Sequence, residues 1–239
     1  FNETATTEIY TNAESSAASD VYKRQPPLLL AITLMAVWAG SAVAQLPLLP
    51  DEVERVDVIA IERDGRELYG FDALTGGRAR VRLEIGETVL LQRSRGRVGL
   101  VLTDKRALGV ASGTSWLEVR WRIHEEPAQV ALVEERLALT VTSWRALAFT
   151  SRGWVEEPLT PSEVVATMRA GSGVGLVTTN RRLLGVGPSS GFVSEKLRLR
   201  EVLESVTTQD TIISLRTDLR ILIFSAPRAS WREEKLRLQ

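Results

Sequence analysis

The chain of 239 residues has no cysteine and one histidine, His124. Without cysteine there can be no disulfide framework and no thiolate zinc or iron–sulfur site. A single histidine cannot build a multi-histidine metal centre. A surplus of charge is missing too, because 30 Lys plus Arg meet 30 Asp plus Glu. Beyond residue 44 the balance is 28 bases against 26 acids, a net of +2. That gives no electrostatic footprint for nucleic acid or for an anionic membrane. Long apolar runs are scarce. The one candidate, residues 28–38, falls short of the roughly 20 residues that a helical span needs. No nucleophile-elbow motif accompanies His124. The glycines of Gly171-Ser172-Gly173-Val174-Gly175 lie between strand signals, not before a helix, so they make no dinucleotide loop.

The first 44 residues read as two segments that precede the folded part. Ser15-Ser16-Ala17-Ala18-Ser19-Asp20-Val21-Tyr22-Lys23-Arg24-Gln25 resembles one reading frame of a transposon-library sequencing adapter. Asn2 to Thr11 resembles the matching flow-cell adapter, with Glu3 where Asp is expected. Residues 1–25 are therefore expected to be adapter-derived and disordered, with the gene cut at residue 26. Residues 26–44 read as a truncated secretory signal: an apolar core from Leu28 to Trp38, then Gly40, Ser41 and Ala42-Val43-Ala44 before Gln45. Small residues at the first and third places before the cut suit a signal peptidase. The expected mature chain, 45–239, is secreted or periplasmic, and a retained signal anchor is the alternative. An exported chain without disulfides must rest on its core, and this one is long enough to bury one.

What is abundant is repetition. Thr-x-x-Arg-x-Leu recurs at Thr103/Arg106/Leu108, Thr142/Arg145/Leu147, Thr179/Arg182/Leu184 and Thr217/Arg220/Leu222, at Thr spacings of 39, 37 and 38. An acidic column, Glu87, Glu125, Glu163 and Glu201, repeats every 38 residues. An aromatic column is made of Trp116, Trp154, Phe192 and Trp231. A degenerate first copy places Arg66 and Leu68 in the Arg-x-Leu positions, with Arg63 in place of Thr. The units fall at about 49–86, 87–124, 125–162, 163–200 and 201–238.

Each unit carries four strand signals. In the fourth they are Val164–Met168, Val174–Thr179, Arg182–Val186 and Phe192–Leu199, separated by Gly-, Asn- and Pro-containing turns. Thr160-Pro161-Ser162-Glu163 taken alone looks like a helix start, but the equivalent Glu87 to Leu91 reads as strand. Thr and Arg flank a two-residue hairpin turn whose first residue is Asp104, Ser143, Asn180 or Asp218. Asp and Asn tolerate the positive φ that tight hairpins favour. The central strands are apolar throughout, which implies cover on both faces. The chain thus resembles a five-bladed β-propeller: all-β, five blades of about 38 residues, four short strands each, in a closed ring that needs every unit. A β-trefoil needs three units, and a β-solenoid has a shorter period. Gly99 to Arg106 also resembles a strand pair of bacterial PH-like domains, with no closing helix to match.

Symmetry would set Arg66, Arg106, Arg145, Arg182 and Arg220 in a ring. They are either an anion site, for example for an acidic glycan, or braces that pair with the acidic column. The aromatic column reads as inter-blade packing that wants bulk and not a donor. Trp144 stands at a turn tip where the other units have Lys105, Arg181 and Leu219, and it is a candidate partner contact. Asp72 and Glu84 are the only loose acids, and His124 reads as a surface residue. No catalytic residue, metal ligand or cofactor is expected. The expected function is a binding or scaffold module for a protein or glycan, and a monomer. The alternatives are a glycosidase-like propeller hydrolase and a structural partner domain of a larger assembly.

Overall fold

The computed structural model describes residues 56–235. The expected adapter segment and signal remnant lie outside these residues. None of the described residues is helical. Nineteen strands form five antiparallel meanders, each taken in chain order. Blade 1 holds β1 (Ile59–Asp64), β2 (Glu67–Asp72) and β3 (Arg78–Arg82). Blade 2 holds β4 (Val89–Arg95), β5 (Val98–Thr103), β6 (Arg106–Ala111) and β7 (Leu117–Arg120). Blade 3 holds β8 (Ala131–Val133), β9 (Leu137–Val141), β10 (Arg145–Thr150) and β11 (Gly153–Pro158). Blade 4 holds β12 (Val165–Gly171), β13 (Val174–Thr179), β14 (Arg182–Val186) and β15 (Val193–Lys196). Blade 5 holds β16 (Leu203–Thr208), β17 (Ile212–Thr217), β18 (Arg220–Ser225) and β19 (Ser230–Lys235).

These are β-propeller blades in the expected register. Successive inner strands β4, β8, β12 and β16 adjoin one another, second strands pack on second strands, and outer strands adjoin outer strands. Blade 1 has three strands, not four, among the described residues. Its β1 and β2 match the second and third strands of the other blades. The inner strands of blades 2, 4 and 5 open with a β-bulge, at Val89/Leu91, Val165/Thr167 and Leu203/Ser205. In blade 3, Pro127 stands where β4 has Val89, and the inner strand is only three residues long. Proline cannot donate to a ladder there.

The core lies between blades. Leu108 and Val110 of β6 face blade 1, while Ala107 and Ala111 face blade 3 and Phe149. The same alternation continues through Leu184 and Val186 toward blade 3, and Leu183 toward blade 5. Glycine makes the close approach possible. A Cβ on Gly109 would meet the ring of Phe149 at 2.5 Å, and one on Gly185 would meet Phe224 at 2.6 Å.

Two expectations are corrected. Cover on both faces holds for β5, β6, β9, β10, β13 and β14 but not for every unit. In β1 and β2 and in β17 and β18 buried residues alternate with more open ones, so blades 1 and 5 each turn one face to solvent. The free faces depart from a ring closed at every sheet. The first unit is also out of phase with its motif. Its hairpin is Asp64-Gly65-Arg66-Glu67, with Asp64 paired to Glu67. Asp64 therefore takes the Thr place and Glu67 the Arg place. Gly70 then falls in line with Gly109 and Gly185, and it receives Val110.

Candidate functional site

Each of blades 2–5 builds the same cluster where the second-to-third-strand hairpin meets the turn that enters the blade. In blade 2 the Thr103 hydroxyl accepts the N–H of Lys105 and of Arg106 (3.1 and 2.9 Å) and donates to Glu87 at 2.7 Å. The hydroxyl thus closes the hairpin. The positive φ expected at Asp104, Ser143, Asn180 and Asp218 is absent from all four. The Asp104 carboxylate instead accepts the Thr88 N–H at 2.8 Å, as Asn180 does for Val164 and Asp218 for Val202. An oxygen acceptor is what that place requires in these three blades.

The arginines clamp neighbouring blades. Arg106 grips Glu87 with Nε and Nη2 at 2.9 and 3.0 Å, bonds Glu118, and donates to the Arg82 carbonyl of blade 1 at 2.9 Å. Arg145 repeats this with Glu125, Glu156 and the Arg120 carbonyl. Arg182 does so with Glu163, Glu157 and the Pro158 carbonyl, and Arg220 with Glu201, Glu233, Glu195 and the Lys196 carbonyl. Arg220 Nε, Nη1 and Nη2 together make five such bonds, with Nη2 also reaching Glu201 at 3.0 Å, and a guanidinium has five N–H donors. The column glutamates are fully buried side chains. Burial pushes the Glu201 carboxyl up, but Arg220, the Arg198 N–H and Thr217 outweigh it and hold it at about 2. Glu163 is likewise held at about 2 by Arg182, the Thr160 N–H and Thr179 against burial. Glu87 and Glu125 are lowered in the same way. Arg66 joins no such cluster. It is exposed and donates to the Leu83 carbonyl at 3.0 and 2.5 Å.

The aromatic column needs its donors as well as its bulk. The indole N–H of Trp116, Trp154 and Trp231 bonds the carbonyl of Ala79, Leu117 and Val193, each on the preceding blade's outer strand. Phe192 has no donor to offer at this place. The loose acids are tied down. Asp72 accepts from Leu74, Thr75, Ser112 and Gly113, which hold it at about 2 against burial. Glu84 pairs with Lys105 and Arg120. Among the described residues no group of three or more His, Cys, Asp or Glu is placed to hold a metal ion.

The surface feature that the motifs did not announce lies at the same end. Four β-turns lead into blades 2–5: Glu84–Glu87, Arg122–Glu125, Thr160–Glu163 and Arg198–Glu201. In each, the closing Glu bonds back to the first residue's N–H, at 2.6 to 2.9 Å. The third residue has positive φ: Gly86, His124, Ser162 or Arg200. That leaves the second residue at the tip. Ile85, Ile123, Pro161 and Leu199 form this column, 38 residues apart. Ile85 and Ile123 are 83% exposed and Leu199 is 92% exposed. The hairpin tips stand beside them, since Lys105 Nζ bonds the Ile85 carbonyl at 3.0 Å. Trp144 is exposed at its own hairpin tip, and so is Leu219. The signal was present as a fourth column two places before each glutamate.

The fold and this end together define a β-propeller repeat protein. No protein-family model and no curated protein matches the chain. Among solved structures it is similar to Prp20p of Saccharomyces cerevisiae, at 9% identity and a TM-score of 0.39, over 71% of this chain and 55% of that one. It is also similar to Hsv2p of Kluyveromyces lactis (10%, TM-score 0.34, 71% and 58%) and to BamB of Moraxella catarrhalis (11%, TM-score 0.33, 75% and 62%). The chain thus spans less than two thirds of the length of each.

Proposed function

We propose that this chain is an exported, non-catalytic binding or scaffold module that takes a protein ligand on the turn end of its blades. One observation carries the reading: the repeated, highly exposed aliphatic tips Ile85, Ile123 and Leu199, with Trp144 and Leu219 beside them. Grouped apolar exposure of this kind marks an interaction surface. Charged groups of both signs, such as Glu84, Arg122, Arg198 and Glu233, surround the tips and suit the polar rim of a protein interface. A glycan would favour a platform of open aromatic rings, whereas three of the column tryptophans turn their N–H groups inward. The apolar run at 28–38 followed by Ala42-Val43-Ala44, and the absence of cysteine, support export without disulfides.

The test uses a displayed random-peptide library panned on the full chain and on an Ile85→Ser/Ile123→Ser/Leu199→Ser variant with the same melting curve. The reading expects apolar peptides that bind the natural chain and lose at least tenfold in affinity for the variant. Peptides that bind both proteins equally would overturn it. So would a glycan array giving specific binding that the variant retains.

A further inference from the structure

At the end of the blades away from the clamps, the repeat departs from its own pattern. The residue just before each second strand of blades 2–5 is Arg97, Arg136, Gly173 or Thr211, at spacings of 39, 37 and 38. Six places after each clamp arginine stands Ser112, Ser151, Pro188 or Ala226. Arginine and serine therefore coincide only in blades 2 and 3. The fold brings them together. Arg97, Val98 and Ser112 of blade 2, Arg136 and Ser151 of blade 3 and Pro188 of blade 4 line one cleft of about 130 Å³. Backbone bonds between blades fix where the arginines stand. The Arg97 N–H donates to the Glu135 carbonyl of blade 3 at 2.7 Å, and the Arg136 N–H to the Ser172 carbonyl of blade 4 at 2.9 Å. The Arg97 carbonyl accepts the Ser112 N–H at 3.0 Å. The Arg136 stem lies along blade 4: a Cβ on Gly173 would stand 3.8 Å from Arg136 Cδ and 3.6 Å from Pro188 Cγ.

The clamp arginines satisfy their donors on glutamates. Among the described residues, the side chains of Arg97 and Arg136 make no hydrogen bond and no ion pair. Most acids at this end are engaged elsewhere. Glu134 pairs with Arg95 at 2.8 Å, and Asp57 accepts the Gly96 N–H at 2.6 Å. Asp72 accepts the Ser112 hydroxyl at 3.0 Å, and Asp210 accepts the Ser172 hydroxyl at 2.7 Å. Glu135 packs against Gly96 and bonds neither arginine. A third cation, Arg152, donates to the Ser189 carbonyl at 3.0 Å, next to Pro188. Two like charges on one cleft repel, and an anion between them relieves the repulsion. A single guanidinium fork saturates a planar carboxylate. Forks from two blades, with the Ser151 hydroxyl beside them, match the several oxygens of a tetrahedral group. The cleft has room for one such group and leaves its carrier outside. We infer that this cleft binds a phosphoryl group, as inorganic phosphate or as a phosphate monoester. It lies at the opposite end from the exposed tips and does not depend on them.

Titration of the full chain with inorganic phosphate tests it, followed by calorimetry and by the arginine Nε–H resonances. One saturable site is expected, with the Nε–H signals of Arg97 and Arg136 shifting together. Arg97→Gln and Arg136→Gln should each weaken binding about tenfold or more, since each removes bonds to a charged group. Arg66→Gln, at the other end, should leave the affinity unchanged. Both variants should keep the natural melting curve, because neither side chain is bonded within the chain. The Nε–H shifts are read on the natural chain, so they decide the matter even if a variant is damaged. Phenyl phosphate separates the sources: binding at least as tight as phosphate assigns a monoester, and weaker binding assigns the free ion. Absence of saturable binding by either compound overturns the inference. So does phosphate binding that survives Arg97→Gln/Arg136→Gln, and so does acetate bound as tightly as phosphate.

Discussion

The interior blades and the outer ones are made from one repeat yet differ in composition, and the difference follows from what each face meets. In blade 2 the third strand reads Arg106-Ala107-Leu108-Gly109-Val110-Ala111, and every residue is buried. In blade 5 it reads Arg220-Ile221-Leu222-Ile223-Phe224-Ser225, and buried residues alternate with partly exposed ones. Small residues appear where a neighbouring blade approaches. Larger β-branched ones, Ile221 and Ile223, appear where none does among the described residues. Blade 1 shows the opposite edge, with acids and aromatics on its open face and no Arg–Glu clamp at its hairpin. A blade interior to the array is thus specified by small side chains and a buried ion pair together.

Acid should have the largest effect, acting on the Arg–Glu clamps of blades 2–5 and on Asp72, which ties blade 1 to blade 2. The folded-state carboxyls of Glu163 and Glu201 lie near 2, below the ordinary 4.5. A group lowered on folding contributes stability that is full above its unfolded pKa and is lost as pH falls through the folded value. Stability should therefore drop progressively as pH falls from about 4.5 toward 2. Chemical denaturation across that range checks it, and a flat profile would remove the clamps from the account.

Cutting one clamp is the next largest effect. Arg145→Ala leaves Glu125 buried and uncompensated, at a cost of about 3–5 kcal/mol. Arg66→Ala, on the exposed first hairpin, should cost less than about 0.5 kcal/mol, as at an ordinary surface site. Equal costs would show that blade 1 is clamped like the rest. Leu183 and Ile221 occupy the same repeat place, one fully buried and one half-open. Leu183→Ala should cost about 2–5 kcal/mol, and Ile221→Ala in dilute protein clearly less. Trp154→Phe keeps bulk but loses the bond to Leu117, for about 1 kcal/mol. Trp144→Ala is the smallest change, under about 0.5 kcal/mol, and equilibrium unfolding of each variant measures the series.

Much of this comparison could be read in the sequence. The strands Val174–Thr179 and Arg182–Val186 fall where apolar runs and turn residues put them. The Thr, Arg and Glu columns meet in space because one spacing governs all three. The phase of blade 1 was not legible. Arg66-Glu67-Leu68 satisfies the motif by residue type, while Gly65 moves the hairpin by one place and gives its strands the opposite alternation. The turn-tip column escaped for a related reason. Its positive-φ residue is glycine only once, at Gly86, and His124, Ser162 and Arg200 carry no comparable flag. The indole bonds were hidden because Phe192 made bulk look sufficient.

Hydrogen exchange resolved strand by strand, on protein dilute enough to be monomeric, tests the central claim most directly. β9 and β10, like β17 and β18, are flanked by strands on both sides within their sheets. Ladder bonding is therefore matched, and any difference in protection reports what covers the blade faces. The account predicts the slowest exchange in β5, β6, β9, β10, β13 and β14, with markedly faster exchange in β17 and β18 and in β1 and β2. Protection of β17 and β18 equal to that of β9 and β10 would contradict it.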